Sequence, residues 1–207
     1  MIAIVDYGVG NLFSLRSSLA RIGAKAVVTG DAETLCAADK IILPGVGAFA
    51  DAAEKLRGTG LGDVVVRQAR RGRDVLGICL GMQLLFDRSF EYGEHAGLGL
   101  LHGDVADLSA DIPAALKVPH IGWNALHLTR PEHPLLRHVR EGDCVYFVHS
   151  FYAKNCAAST IATAEYGVSV TAAVADGNVM GCQFHPEKSG RVGLNILRAF
   201  CGLEAAV

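Results

Sequence analysis

The sequence predicts one α/β domain whose sheet is mostly parallel, with additional antiparallel strands. Three observations carry that prediction. Across residues 1–90, short apolar runs alternate with stretches whose apolar residues recur at helical spacing, the pattern of βαβ units. Glycine-rich turns follow the first and third of these runs, at the strand ends where a parallel sheet binds its ligands. Farther on, Gly177-Asn178 supplies hairpin-turn chemistry between two apolar runs. The 207 residues, 51% hydrophobic and 19% charged, suit a single domain spanning positions 1–207. A chain of this length buries about 70% of its unfolded surface, enough for a core without staples.

Met1–Asp6 reads as the first strand, followed by Tyr7-Gly8-Val9-Gly10-Asn11. Leu12, Leu15, Leu19 and Ile22 then mark a helix that Gly23 closes. The glycine turn approaches a phosphate-binding loop, but Phe13 stands where the third glycine would be, which argues against a dinucleotide site. Lys25–Thr29 reads as a second strand, Asp31–Ala38 as a short helix and Lys40–Leu43 as a third strand. That strand ends in Pro44-Gly45-Val46-Gly47-Ala48-Phe49, whose glycines let the backbone approach a ligand and aim N–H groups at it. A plain Pro-Gly turn has the same composition. Ala50–Arg71 reads as helical with a break at Gly58-Thr59-Gly60.

Residues 91–142 are rich in Gly, Pro and His, with no long helix and only short strand-like pieces such as Ile121–Leu128. His120 reads there as a hydrogen-bonded histidine. Trp123, the only tryptophan, reads as a packing residue with a slight lean toward an interface role. Cys144–His149, Thr160–Glu165, Val168–Val174 and Val179–Phe184 read as strands. A closing helix, Gly190–Cys201, offers Val192, Leu194, Ile196, Leu197 and Phe200 to the sheet.

A formal net charge of -2 leaves no electrostatic footprint for nucleic acid, and no basic run suggests a membrane surface. The apolar runs fall well short of the roughly 18 residues of a membrane span. The N-terminus lacks the basic region and longer apolar core of a secretion signal. The six cysteines form no Cys-x-x-Cys pair and are scattered, which argues against a disulfide framework and a zinc site. Five of them read as small buried hydrophobes in a reducing cytoplasm, and no metal is expected.

Cys79 is the exception. Gly77 and Gly81 flank it at two residues on each side, the Gly-x-nucleophile-x-Gly spacing of a sharp strand-to-helix turn, with cysteine in place of serine. Met82–Phe86 reads as the opening of an amphipathic helix, so a helix N-terminus stands behind the sulfur and favours a thiolate. A second stretch completes the chemistry. In Gly181-Cys182-Gln183-Phe184-His185-Pro186-Glu187-Lys188, extended backbone would point His185 and Glu187 the same way, with Pro186 discouraging a helical turn. A carboxylate there can hold Nδ1 of the imidazole and leave Nε2 for a nucleophile.

The elbow Gly77–Gln83 and His185-Pro186-Glu187 resemble the class I glutamine amidotransferase domain. Asp6–Leu12, Pro44–Phe49, Lys117–Asn124, Tyr146–Ser150 and Lys188-Ser189-Gly190 narrow the resemblance to one branch, the glutaminase subunits of imidazole glycerol phosphate synthases. The likeness runs nearly end to end. One small departure is Cys182, where that branch has Thr. The resemblance implies a three-layer sandwich and a glutaminase that needs no cofactor, with Cys79, His185 and Glu187 catalytic. It also implies oxyanion donors at Val46, Gly47 and Leu80, and glutamine held by Gly47, Gln83, Ser150 and Phe151. The implied partner is a cyclase subunit with a (β/α)8 barrel, forming a heterodimer that receives ammonia through an interior route. Asn11, Trp123 and Lys188 are expected to face it. Two alternatives stay open: a related glutaminase serving another synthase, such as that of pyridoxal phosphate, and a catalytically silent scaffold.

Overall fold

Ile2 and Ile4 of the first strand face one side of the sheet and Ala3 and Val5 the other, and all four are buried. A strand buried on both faces belongs inside a sheet covered by helices on both sides. The computed structural model, which describes residues 1–205, shows that arrangement; the last two residues of the expected 1–207 domain lie outside the described residues. Strand β1 (Ile2–Val5) leads to helix α1 (Leu12–Arg21), β2 (Ala26–Thr29), α2 (Ala32–Ala37) and β3 (Lys40–Gly45). Helices α3 (Phe49–Thr59) and α4 (Leu61–Arg70) follow, separated by Gly60 at φ +70°, so the break falls where the sequence places it. In α4 the buried Leu61, Val64, Val65, Gln68 and Ala69 recur at i, i+3, i+4, i+7 and i+8, one face turned to the sheet.

Strand β4 (Asp74–Cys79) runs between β3 and a distant strand, β13 (Val179–Cys182), parallel to both. The nine-stranded sheet has the order β2-β1-β3-β4-β13-β12-β11-β8-β9, where β8 is His120–Leu128, β9 Cys144–His149, β11 Thr160–Glu165 and β12 Ser169–Asp176. Its first five strands are parallel and the remainder join antiparallel. Helix α1 and the last helix, α6 (Gly190–Cys201), pack on one face; α2, α3 and α4 pack on the other. These are the three expected layers.

The segment after Cys79 departs from expectation. Instead of an amphipathic helix opening over Met82–Phe86, α5 is a single turn, Leu80–Leu84, and the chain passes into β5 (Phe86–Ser89). The physical reason is competition for carbonyls. Leu84 O accepts from Leu98 N, Leu85 O from Leu100 N and Leu101 N, and Phe86 O from Gly99 N. Gly97 permits this approach, since a Cβ there would lie 2.1 Å from Phe86 O. The result is a second, four-stranded sheet in the order β10-β7-β5-β6, with β6 His95–Ala96, β7 Leu101–Asp107 and β10 Phe151–Lys154. The sequence did not disclose this sheet. The five other cysteines are also more varied than expected: Cys156 and Cys182 are buried, Cys201 is half-buried, and Cys36 and Cys144 are exposed.

The elbow depends on close backbone contact. A Cβ on Gly81 would lie 1.8 Å from Leu43 O, one on Gly77 2.6 Å from the Met82 Cα, and one on Gly45 2.6 Å from Gly81 N. Gly81→Ala is therefore expected to lower the unfolding free energy by about 3 kcal/mol through overpacking. Gly58→Ala, in α3 with nothing near a new Cβ, is expected to raise it by about 0.5 kcal/mol. Urea denaturation of the two variants beside the parent protein measures both.

Candidate active site

Cys79 ends β4 with φ 54° and ψ −114°, a conformation that side-chain-bearing residues rarely adopt and that signals a strained turn. Two ladders hold it there. Gly45 of β3 pairs with Cys79 itself, and Cys182 of β13 pairs with Ile78. The second pairing brings the C-terminal motif to the elbow, because His185 follows Cys182 by three residues.

His185 Nδ1 lies 2.8 Å from Glu187 Oε1, and both side chains are 3% exposed. The pairing forms, but the backbone beneath it differs from expectation: Pro186–Lys188 is a 3-10 turn rather than extended chain. Pro186 occupies its first position, where a missing N–H costs nothing, and Gly193 of α6 packs so closely that a Cβ would lie 1.9 Å from Pro186 O. Ser189 closes the turn. Its hydroxyl donates to His185 O at 2.7 Å and accepts from Tyr146 N at 2.9 Å, while His185 N donates to Tyr146 O at 3.0 Å. Burial alone would lower the His185 pKa. Hydrogen bonds to Cys79 and Glu187, together with their negative charge, outweigh burial and raise it from 6.5 to about 9.

Behind the sulfur runs a chain of side-chain amides. Gln83 Nε2 donates to Phe151 O at 2.9 Å and to Gln183 Oε1 at 3.0 Å. With its oxygen occupied, Gln183 turns its NH2 toward Cys79 Sγ, 3.8 Å away. The Gln83 amide nitrogen is thus fully used, and its Oε1 is the polar atom left for a ligand.

Cys79, Gln83 and His185 border a cleft of about 370 Å³, whose walls also include Val46, Gly47, Glu91, Tyr92, His149, Ser150, Phe151 and Lys188. Gly47 has φ +91° and no neighbour within 4 Å of a Cβ, so its requirement for glycine is conformational. Tyr7 OH donates to Pro44 O at 2.8 Å and anchors the strand end that leads to it. Leu80 opens α5, so its N–H has no partner within the helix. Glu91 is buried, its Oε2 accepting from Phe49 N at 2.9 Å, and burial raises its pKa. A thiol at a strained elbow, a protonated imidazole fixed by a carboxylate and nearby N–H donors form a set suited to acyl transfer through a thioester.

The glutamine amidotransferase class-I profile matches residues 3–201. The chain belongs to the class I glutamine amidotransferase family. Among curated relatives, the imidazole glycerol phosphate synthase subunit HisH of Lactiplantibacillus plantarum is 50% identical, covering 97% of this chain and 94% of that protein. HisH of Syntrophotalea carbinolica is 47% identical over 97% and 98%. A solved glutamine amidotransferase superposes with TM-score 0.75 at 19% identity, covering 98% of this chain and 100% of the other. The PurLQS structure from Thermotoga maritima gives 0.72 at 21%, covering 97% of both. At these identities the two structures show the amidotransferase fold.

Of the three residues expected at a partner surface, two meet in this amidotransferase around one ring. Lys188 Nζ lies 5.9 Å from the Tyr146 ring centroid, and the Trp123 ring contacts the same tyrosine edge-on at 6.0 Å. Trp123 is 56% exposed, so the packing reading gives way to a surface position. Asn11 caps α1 through Ser14 N and lines a small cavity with His185 and Glu187. Gln183, Tyr146, Ser189, Glu91 and His149 carried no individual role from sequence; Gln183 and Ser189 lie inside the C-terminal motif and its continuation, and Tyr146 and His149 inside the Tyr146–Ser150 stretch, which were the available signals. Iodoacetamide is expected to label Cys79 faster at pH 7 than the exposed Cys36. His185→Ala should slow Cys79 labelling by about tenfold while leaving Cys36 unchanged, as peptide mapping by mass spectrometry would show.

Proposed function

We propose that this chain is the glutaminase subunit of an imidazole glycerol phosphate synthase. The observation that carries the reading is that Cys79 and His185 line the cleft, with buried Glu187 holding the imidazole from behind, in a chain about half identical to HisH proteins. Cys79 attacks the side-chain carboxamide carbon of glutamine. The oxyanion that forms is met by N–H donors at Leu80 and at the Val46–Gly47 strand end, each worth about 3 kcal/mol in the transition state. His185 protonates the departing ammonia, leaving a thioester on Cys79. It then takes a proton from the water that hydrolyses the thioester, and glutamate leaves. Glu187 holds the imidazole and balances its charge. Gly47, the Gln83 oxygen, Ser150 and Phe151 hold the glutamine, and Glu91 offers a carboxylate to its ammonium group.

Ammonia protonated in bulk water is no nucleophile, so the reading includes a cytoplasmic heterodimer with a (β/α)8-barrel cyclase that takes ammonia through an interior route. The cyclase converts a ribulosyl phosphate intermediate of histidine biosynthesis to imidazole glycerol phosphate and aminoimidazole carboxamide ribotide. Asn11, Trp123 and Lys188 supply the docking surface. No helix of the described residues is long and apolar enough to cross a membrane.

Cys79→Ala is expected to abolish glutamine-dependent synthesis in the complex and to leave synthesis from added ammonium salts intact; survival of the glutamine reaction would remove the assignment. The His185 pKa sets a pH dependence. Because it rises from 6.5 to about 9, the stabilisation it gives is complete below pH 6.5 and is lost as pH rises through about 9. The kcat/KM for glutamine should fall over the same upper range, and Glu187→Gln should move that descending limb to lower pH, read from the pH–rate profiles. Lys188→Ala should blunt activation of the glutaminase by cyclase and acceptor ligand, measured against parent protein alone and in complex.

A further inference from the structure

A pair of histidines lies outside the Cys79–His185–Glu187 set. His149 Nδ1 is 2.9 Å from Phe151 O, and its Nε2 is 3.0 Å from His120 Nδ1. His120 Nε2 in turn faces the Asn124 amide at 2.8 Å. His120 is fully buried, its ring stacked between Phe147 and Tyr166 at centroid distances of 5.0 and 3.9 Å. A carbonyl oxygen only accepts, so His149 must carry its proton on Nδ1. Burial pushes its pKa down from 6.5 to about 4, which keeps the ring neutral and Nε2 unprotonated. That lone pair needs a donor, and His120 Nδ1 is the one in place. Asn124 Nδ2 donates to Glu165 O at 3.0 Å, which holds its Oδ1 toward His120 Nε2. A His120 ring protonated on both nitrogens satisfies every link of the chain, and in a neutral ring the mismatch falls at this half-exposed end, away from His149.

We infer that His120 is a positioning residue of the glutamine site: its Nδ1–H locks His149 in the Nδ1–H tautomer, which helps pin the Phe151 carbonyl. The inference rests on the reading that Ser150 and Phe151 hold glutamine. Phe151 O receives His149 and Gln83 together, and Ser150 O accepts from Leu108 N at 2.9 Å. Both carbonyls are therefore tied back, and the segment presents one fixed surface to the cleft. In the other tautomer, His149 would set a nitrogen lone pair against a carbonyl lone pair at 2.9 Å, and the segment would shift.

Two substitutions separate this role from packing. His120→Phe keeps the stacked ring and removes the donor; His120→Asn removes the ring and keeps an N–H near the Nδ1 position. In the complex with the cyclase subunit, His120→Phe is expected to raise KM for glutamine about fivefold with a smaller change in kcat, the worth of one hydrogen bond, while His120→Asn stays within about twofold of the parent. Nitrogen-15 spectra of the imidazoles in the full chain should show His149 protonated at Nδ1 in the parent and His120→Asn, and a mixed tautomer in His120→Phe. The reverse kinetic order, equal effects of both variants, or His149 protonated at Nε2 in the parent would overturn the inference. The spectra do not depend on turnover, so a parent complex that fails to hydrolyse glutamine would remove the proposed function and leave the tautomer assignment standing.

Discussion

Everything at the site depends on how closely the turn after β4 is pressed against the end of β3. The backbone at Gly81 reaches the carbonyl of Leu43, and Gly77 and Gly45 close the same contact from either side. At these distances no Cβ can intervene, so three glycines are a condition of the elbow. The contact forces Cys79 into a conformation that costs about 1–3 kcal/mol and persists because the neighbouring strands over-determine it. It also lays the Gly45–Gly47 strand end beside the sulfur, so the Cys79 thiol and one candidate set of N–H donors are positioned by a single event.

The second requirement is that β13 lie next to β4. Their parallel register carries the chain to His185, and from there three hydrogen bonds through Tyr146 and Ser189 fix the loop that presents the imidazole. The polar chain from Phe151 through Gln83 and Gln183 reaches the sulfur from the other side. The thiol is thus met by a cation and by an amide donor in a water-poor setting. There each is worth more than in bulk solvent.

The strands and helices with strong periodicity could be read from sequence to within a residue or two: Cys144–His149, Thr160–Glu165 and the closing helix Gly190–Cys201 coincide with the structure. The elbow was legible because its glycine spacing is a local signal. So was the i, i+2 pairing of His185 and Glu187, although the backbone that achieves it is a 3-10 turn shaped by α6, which no local rule reveals. The four-stranded sheet was not legible, since it exists through carbonyls of residues 84–86 captured by residues 98–101. Gln183, Tyr146 and His149 act through partners distant in the chain. Their residue types alone carry no mark of it.

Strand β9 is the last of its sheet, and an edge strand ordinarily offers a row of unpaired backbone groups to any other chain. At Tyr146 those groups are taken: the N–H by the Ser189 hydroxyl and the carbonyl by the His185 N–H. The loop that carries the imidazole therefore also serves as a guard rail on the sheet. A change that loosened it would expose a sticky edge as well as misplace the histidine, so inactivation and self-association would arrive together.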